Sequence, residues 1–179
     1  MIKRFMREYL RFAPRLMAEW FAQTILGGVD GPIGMLLRRY CYLSFIGKTK
    51  GRFFIWSRVS IQHGYGLSIG SDVCINSGCV LDARGVLSIG VRSLIGPNCT
   101  IVSSTHRIDS HPISDAGHEK APTVIESDVW IGANVVILGG IRVAHGCVIG
   151  AGSIVTKSTT PYGIYVGNPA RLIRMREAL

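Results

Sequence analysis

Five histidines, His63, His106, His111, His118 and His145, are the natural candidates for proton transfer in this chain. An unperturbed imidazole titrates at about 6.5, so it can take the proton of a weak nucleophile such as an alcohol as that nucleophile attacks. His106 stands out by position. A six-residue repeat runs up to it and an irregular segment follows it, so it is firm on one side and open on the other. Asn76 lies thirty residues earlier, in Ile75-Asn76-Ser77. The five cysteines lack metal-ligand spacing such as C-x-x-C. Cys79, Cys99 and Cys147 fall on small inward positions of the repeat, where a thiol serves as a small hydrophobe. Cys79 and Cys99 are twenty residues apart and should stack in adjacent coils.

The elements that must position these groups follow from that repeat. Aliphatic residues recur every sixth position at Ile69, Ile75 and Leu81, at Ile89, Ile95 and Ile101, and at Ile125, Ile131, Ile137, Val143, Ile149 and Val155. A period of six is neither the 3.6 of an amphipathic helix nor the alternation of a half-buried strand. It is a short-repeat signature. Each unit holds one short strand and one turn, and a second inward residue, usually small, follows four residues later, as at Val73, Cys79, Ser93, Cys99, Thr105, Val129, Val135, Ile141, Cys147 and Ser153. Three units make a triangular coil, and stacked coils pair strands in parallel about 4.8 Å apart. Leu67-Ser68-Ile69-Gly70 returns twenty residues later as Leu87-Ser88-Ile89-Gly90, so one coil is three hexads plus two corner residues. From Ile101 to Ile125 is 24 residues, four whole hexads, so the phase survives the irregular stretch 103–122. That stretch, with three histidines, reads as an excursion loop, and long loops of this kind are commonly functional.

Residues 1–50 differ in kind. They carry nine Lys/Arg against three Asp/Glu, most of the net charge of +9. Met1 to about Leu26 has helical character, with Arg4, Arg7, Arg11 and Arg15 in one narrow arc and Phe5, Tyr9, Phe12, Trp20 and Phe21 among the residues covering the rest. Two readings stay open: a helix packed on the solenoid with an arginine stripe in water, or a helix in an anionic membrane interface. Gly27-Gly28 ends it, and Gly31-Pro32 starts another helix through about Phe45, which carries Arg38 and Arg39. No stretch reaches the roughly 18 apolar residues of a membrane span, and Arg11 and Arg15 interrupt any signal-peptide core. The expectation is a cytoplasmic protein, peripheral at the membrane if the second reading holds. A basic stripe without a stacking surface does not suit nucleic acid.

The run Val129-Trp130-Ile131-Gly132-Ala133-Asn134-Val135-Val136-Ile137, the run Val148-Ile149-Gly150-Ala151-Gly152-Ser153-Ile154-Val155-Thr156-Lys157 and the run Gly167-Asn168-Pro169-Ala170-Arg171 resemble the hexapeptide-repeat acyltransferases. The likeness is strongest to the galactoside, maltose and nodulation acetyltransferase group and to bacterial polysaccharide O-acetyltransferases, and it covers about residues 53–175. It implies a mainly β protein with a left-handed parallel β-helix over 51–165, an N-terminal helical segment over 1–50 and a C-terminal tail over 166–179 on the CoA side. Chirality of parallel crossovers alone would favour the right hand. It also implies a homotrimer that uses acetyl-CoA and no metal to acetylate a sugar hydroxyl, in surface polysaccharide or lipid-linked glycan synthesis. His106 then matches the catalytic base, and Asn76 matches an asparagine that reaches the site from the neighbouring subunit. Trp130 matches a wall of the site, the Ala133 amide an oxyanion donor, and Ala151 a pantetheine contact. Thr156 and Lys157 match residues near the nucleotide end, and Arg171 and Arg174 match arginines that meet the CoA phosphates. Asp82 and Arg84 stand where the galactoside-type enzymes bind sugar hydroxyls through acids, and Arg84 departs from that pattern toward an anionic acceptor. Asp109 could orient His106, as could a backbone carbonyl.

Two other classes compete. The γ-type carbonic anhydrases bind zinc with three histidines on a similar solenoid. His106 and His111 have a suggestive step of five, but His63 and His145 lie 43 and 39 residues from His106, where 36 or 40 is needed. A non-catalytic binding solenoid is the third reading.

Overall fold

The computed structural model describes residues 13–14, 17–108 and 116–177. Its body is a parallel β-helix with three walls. The first wall holds Lys48–Thr49, Leu67–Ile69, Leu87–Ile89, Thr123–Ile125 and Arg142–Val143. The second holds Phe53–Ile55, Val73–Ile75, Leu94–Ile95, Trp130–Ile131, Val148–Ile149 and Gly163–Gly167, and the third Ser60–Gln62, Val80–Asp82, Thr100–Val102, Val136–Ile137 and Ile154–Val155. The chain visits the walls in that order, coil after coil.

The six-residue beat works as expected because each opening aliphatic residue points inward. All twelve are at most 3% exposed, and each such burial stabilises by about 1.5–3 kcal/mol. Val73, Cys79, Ser93, Cys99, Val129, Val135, Ile141, Cys147 and Ser153 are buried as well. Thr105 is the correction: it is exposed, because the chain has already left the coil. Cys79 and Cys99 do stack in neighbouring coils as free thiols, donating to the carbonyls of Gly96 and Gly132. Between strands the chain turns through left-handed residues that line up from coil to coil, as at Arg58, Gly78, Asn98, Asn134 and Gly152. Asparagine and glycine tolerate that region.

Register shows where the sequence departs from bare hexads. Paired Ser68 and Ser88 are twenty residues apart, Ser88 and Val124 thirty-six, Val124 and Arg142 eighteen. Eighteen is three hexads. Every extra residue sits at one corner, the passage from the third wall back to the first. Two are inserted between Ile61 and Ile69, two between Leu81 and Ile89, and eighteen between Ile101 and Ile125. The last insertion is not a plain loop. It leaves and returns as an antiparallel ribbon, Ser104–His106 paired with His118–Lys120.

Helical residues 17–24 and the helix Gly31–Leu43 cover the first coil. Residues 17–24 of the first segment pack on this coil, while Arg4, Arg7, Arg11 and Arg15 lie outside the described residues. Ala22 is buried, and Gln23 donates to the Ile61 carbonyl while accepting from the Ser60 hydroxyl. Arg38 is a finding that charge counting misses. It is fully buried, its Nη1 donates to the carbonyls of Leu26 and Val29, and its Nε donates to that of Ile55. One guanidinium thus ties the end of the first helical stretch to the first coil. Arg38→Met removes those donors and leaves carbonyls without partners, so it should lower stability by about 2 kcal/mol, read from urea unfolding.

At the far end Gly163–Gly167 turns back through Asn168-Pro169, and Ala170–Met175 runs antiparallel as the edge strand of the second wall. What the sequence suggests as a tail is therefore the outer strand of a hairpin.

Candidate active site

The corner that carries the insertions also gathers the reactive side chains. His63 occupies the first insertion in a left-handed conformation, φ 56°. Its Nδ1 lies 3.1 Å from Asp82 Oδ1, and because an ionised carboxylate only accepts, Nδ1 is the donor of this pair. Asp82 Oδ1 also accepts from the Arg84 amide at 3.0 Å, and Oδ2 accepts from the Ser104 hydroxyl at 2.8 Å. Burial alone would raise the Asp82 carboxyl, but its hydrogen bonds to His63, the Arg84 amide and Ser104 outweigh this and hold it at about 2. Nearby, Glu19 from the N-terminal helical stretch is raised by burial, which its hydrogen bond from the Gly64 backbone only partly offsets.

The second insertion must pass close under the ribbon. A Cβ on Gly85 would run into the Ser103 carbonyl, so only glycine fits. Val86 holds φ 89°, an outlier for a β-branched residue, and its carbonyl accepts from the Thr123 amide as the chain rejoins the coil. Strain of this kind persists only where neighbours enforce it, and it gathers at functional sites.

His106 lies on the outgoing strand of the ribbon, beyond the coil rather than at its last corner, and is exposed. Directly opposite is His118, with ring centroids 4.1 Å apart. Sequence reading leaves His118 as a loop residue; the pairing makes it the nearest partner of His106 among the described residues. Side chains alternate along a strand and match across an antiparallel pair. Ser104, His106, His118 and Lys120 therefore share one side of the ribbon, and Thr105 and Glu119 the other. The bond from Ser104 to Asp82 shows which way the first side looks: toward Asp82, His63 and Arg84. Burial, then the charges of Arg84 and His106, lower the His118 imidazole below its ordinary value. Asp109 and His111 lie outside the described residues.

The other expected site residues fall at different edges. Asn76 sits at the corner between the second and third walls, its Nδ2 donating to the Ile95 carbonyl at 3.3 Å. One copy of the chain does not bring it to His106. Ala133 and Ala151 stack on that same edge, eighteen residues apart, with Arg171 above them on the edge strand. Glycines 96 and 132 are needed there, because a Cβ on Gly96 would lie 2.8 Å from the Ala133 nitrogen and one on Gly132 2.7 Å from the Ala151 nitrogen. Thr156 and Lys157 are exposed where the third wall ends, on the His106 edge but nearer the C-terminal end. Trp130 is exposed on the second wall and shares with Arg174 an open groove of about 1090 Å³. Asp128 in this groove is bound bidentately by Arg92. His145 is half-buried, its ring edge-on to Tyr162 at 5.2 Å. Among the described residues no group of three or more His, Cys, Asp and Glu is arranged to hold a metal.

The family described as bacterial transferase hexapeptide (six repeats) matches residues 122–157. A Schizosaccharomyces pombe protein assigned as an acetyltransferase is 30% identical over 149 residues, which is 82% of this chain and 72% of that protein. Against its Staphylococcus aureus relatives, assigned likewise, the chain is 36% identical and spans 57% of their length. Among solved structures, the hexapeptide-repeat acetyltransferase VCA0836 of Vibrio cholerae, complexed with acetyl-CoA, superposes with TM-score 0.83 at 24% identity over 92% of this chain and 88% of that one. A galactoside acetyltransferase in complex with coenzyme A gives TM-score 0.80 at 26% identity over 91% and 79%. Repeat, walls and relatives agree, and the chain belongs to the hexapeptide-repeat acetyltransferases.

Proposed function

We propose that this protein transfers the acetyl group of acetyl-CoA to a hydroxyl of a sugar, with His106 as the general base. The observation that carries the reading is the ribbon that sets His106 against His118 and turns both toward Asp82 and His63. The His106 imidazole takes the hydroxyl proton as the oxygen attacks the thioester carbon. The oxyanion forms beside the Ala133 amide. Collapse breaks the carbon–sulfur bond, and the imidazolium returns its proton to the leaving thiolate.

The acetyl donor is supported by relatives solved with acetyl-CoA or coenzyme A. It would lie between two prisms, against Trp130, Ala133, Ala151, Thr156, Lys157, Arg171 and Arg174. A homotrimer is supported by the second wall, whose outward column Phe54, Cys74, Leu94, Trp130, Val148 and Ile164 is an unbroken apolar ladder. Trp130 is 56% exposed on one copy, more than a lone wall would favour. In that assembly a neighbour supplies Asn76 to the His106 edge. Asn76→Ala should therefore raise the acceptor KM at least about fivefold with little change in acetyl-CoA affinity, measured by steady-state kinetics and calorimetry.

The acceptor belongs to surface polysaccharide or lipid-linked glycan chemistry, and the enzyme works in the cytoplasm at the membrane face. No described helix is long and apolar enough to cross a membrane. Ile33, Leu36, Leu37 and Tyr40 nonetheless form an exposed apolar stripe on the helix Gly31–Leu43, which follows the basic segment 1–26 in sequence. Apolar contact plus cations suits an anionic lipid surface. Thiol release from acetyl-CoA with a panel of sugars tests the activity: release dependent on a sugar is expected, and none with any sugar would overturn it.

A further inference from the structure

Arg84 lies at the insertion corner, and the acetyl-transfer chemistry above gives it no task. Its backbone amide is pinned to Asp82 Oδ1, so the start of its side chain is fixed. Its Nε is shielded from water and has no partner among the described residues. An N–H shielded from water is shielded from an incoming phosphate too, so an acceptor from outside meets this guanidinium at its Nη groups, and reaches Nε only if the side chain turns outward. The surroundings select the sign of that acceptor. His118, His106 and Lys120 share the ribbon side that faces this corner, and His63 stands on the coil. Two carboxylates lie at this corner among the described residues: Asp82, whose oxygens are already engaged by His63, Ser104 and the Arg84 amide, and Glu19, whose carboxyl burial raises and which accepts from the Gly64 backbone. Glu119 projects to the other side of the ribbon. A cavity of about 480 Å³ opens along the ribbon, lined by Arg107, His118, Glu119 and Lys120, with Glu119 as its one carboxylate and Arg84 outside its lining.

We infer that the acceptor carries a phosphate group, and that Arg84, flanked by His118 and Lys120, binds it beside the reacting hydroxyl. This rests on the acetyl-transfer reading and narrows it from sugars in general to phosphorylated ones. The fork of Arg84 suits two phosphate oxygens, and Lys120 adds a point charge. The lowered His118 imidazole is consistent with this: burial, then the charges of Arg84 and His106, disfavour its protonated form, and an anion seated among them would oppose that. The phosphate could be a monoester or part of a diphosphate bridge to a nucleotide or lipid, and the test separates these.

Two measurements, one independent of turnover, decide the matter. In proton NMR titrations, inorganic phosphate should raise the apparent pKa of His118 by about half a unit or more in the native protein. It should leave Arg84→Gln unchanged and have an intermediate effect in Arg84→Lys, which keeps the charge but loses the fork. No rise in the native protein, or an equal rise in Arg84→Gln, overturns the proposal. Because this readout needs no catalysis, it stands even if no sugar releases thiol and the transferase reading falls. In the kinetic arm, kcat/KM for glucose 1-phosphate or for uridine diphosphoglucose should exceed that for glucose at least about tenfold, and Arg84→Gln should bring the ratio toward one. Preference for the first points to a monoester and for the second to a diphosphate bridge. Preference for neither over glucose overturns the inference.

Discussion

Replacing His106 by asparagine is expected to lower kcat by about 10²- to 10⁴-fold, the range of a general base, while acetyl-CoA binding and assembly stay intact. Asparagine can still fill the ribbon position and hydrogen-bond, but it cannot take a proton from an alcohol at neutral pH. The loss should appear equally in kcat and kcat/KM, because the proton transfer exists only in the transition state. His118→Asn is the informative companion. Its ring packs on His106 at 4.1 Å between centroids, so the proposed mechanism gives it a supporting role and not that of the base. A loss of about tenfold fits that supporting role. Equal losses in both variants would instead make the two imidazoles one catalytic unit, and near-normal turnover in His106→Asn would remove the base altogether.

The fold was readable because hexad periodicity is a local rule with a global result. Ile69, Ile89 and Ile125 had to face inward for any coil to close, and they do. The position of the candidate site has a related reason. Where a repeat inserts residues, the core is not using them, and all three insertions fall at the corner that holds His63, Arg84 and His106. What lay beyond reach was long-range partnership. Nothing near Asp82 in sequence says that it will bind His63 nineteen residues earlier and Ser104 twenty-two later. His118 looked like loop because its strand is held only by pairing with Ser104–His106, an antiparallel contact that a six-residue parallel beat does not encode. Arg38 was misleading for the opposite reason: a charged residue near the basic N-terminus reads as surface until three carbonyls converge on it. Asn76 matches a family position, yet one protomer holds it an edge away from His106, so the role proposed for it depends on the proposed assembly rather than on the chain alone.

Asp82→Ala should have the second largest effect, and through a different route. Asp82 touches no reacting atom in the proposed mechanism; it is a positioning residue that joins three insertions of one corner. Without it, His63 loses the partner of its Nδ1, the Arg84 amide loses its acceptor, and Ser104 no longer anchors the ribbon that carries His106. Small displacements of a base weaken proton transfer steeply, so kcat should fall by about 10- to 100-fold. Ribbon and coil would also loosen together, which a purely chemical role would not produce: amide exchange at Ala121, whose N–H donates to the Ser103 carbonyl, should accelerate. The pH dependence of stability gives a third readout. The folded carboxyl titrates at about 2, below the ordinary unfolded value of about 3.9. The ionised form therefore favours folding. That stabilisation is complete above about pH 4 and is lost as pH falls through 2. Native protein should thus lose more stability than Asp82→Ala between pH 5 and pH 2, and the two unfolding curves should converge at the acid end. Parallel curves, with kcat unchanged, would mean that the ribbon is held without this carboxylate and that His106 owes its placement to something else.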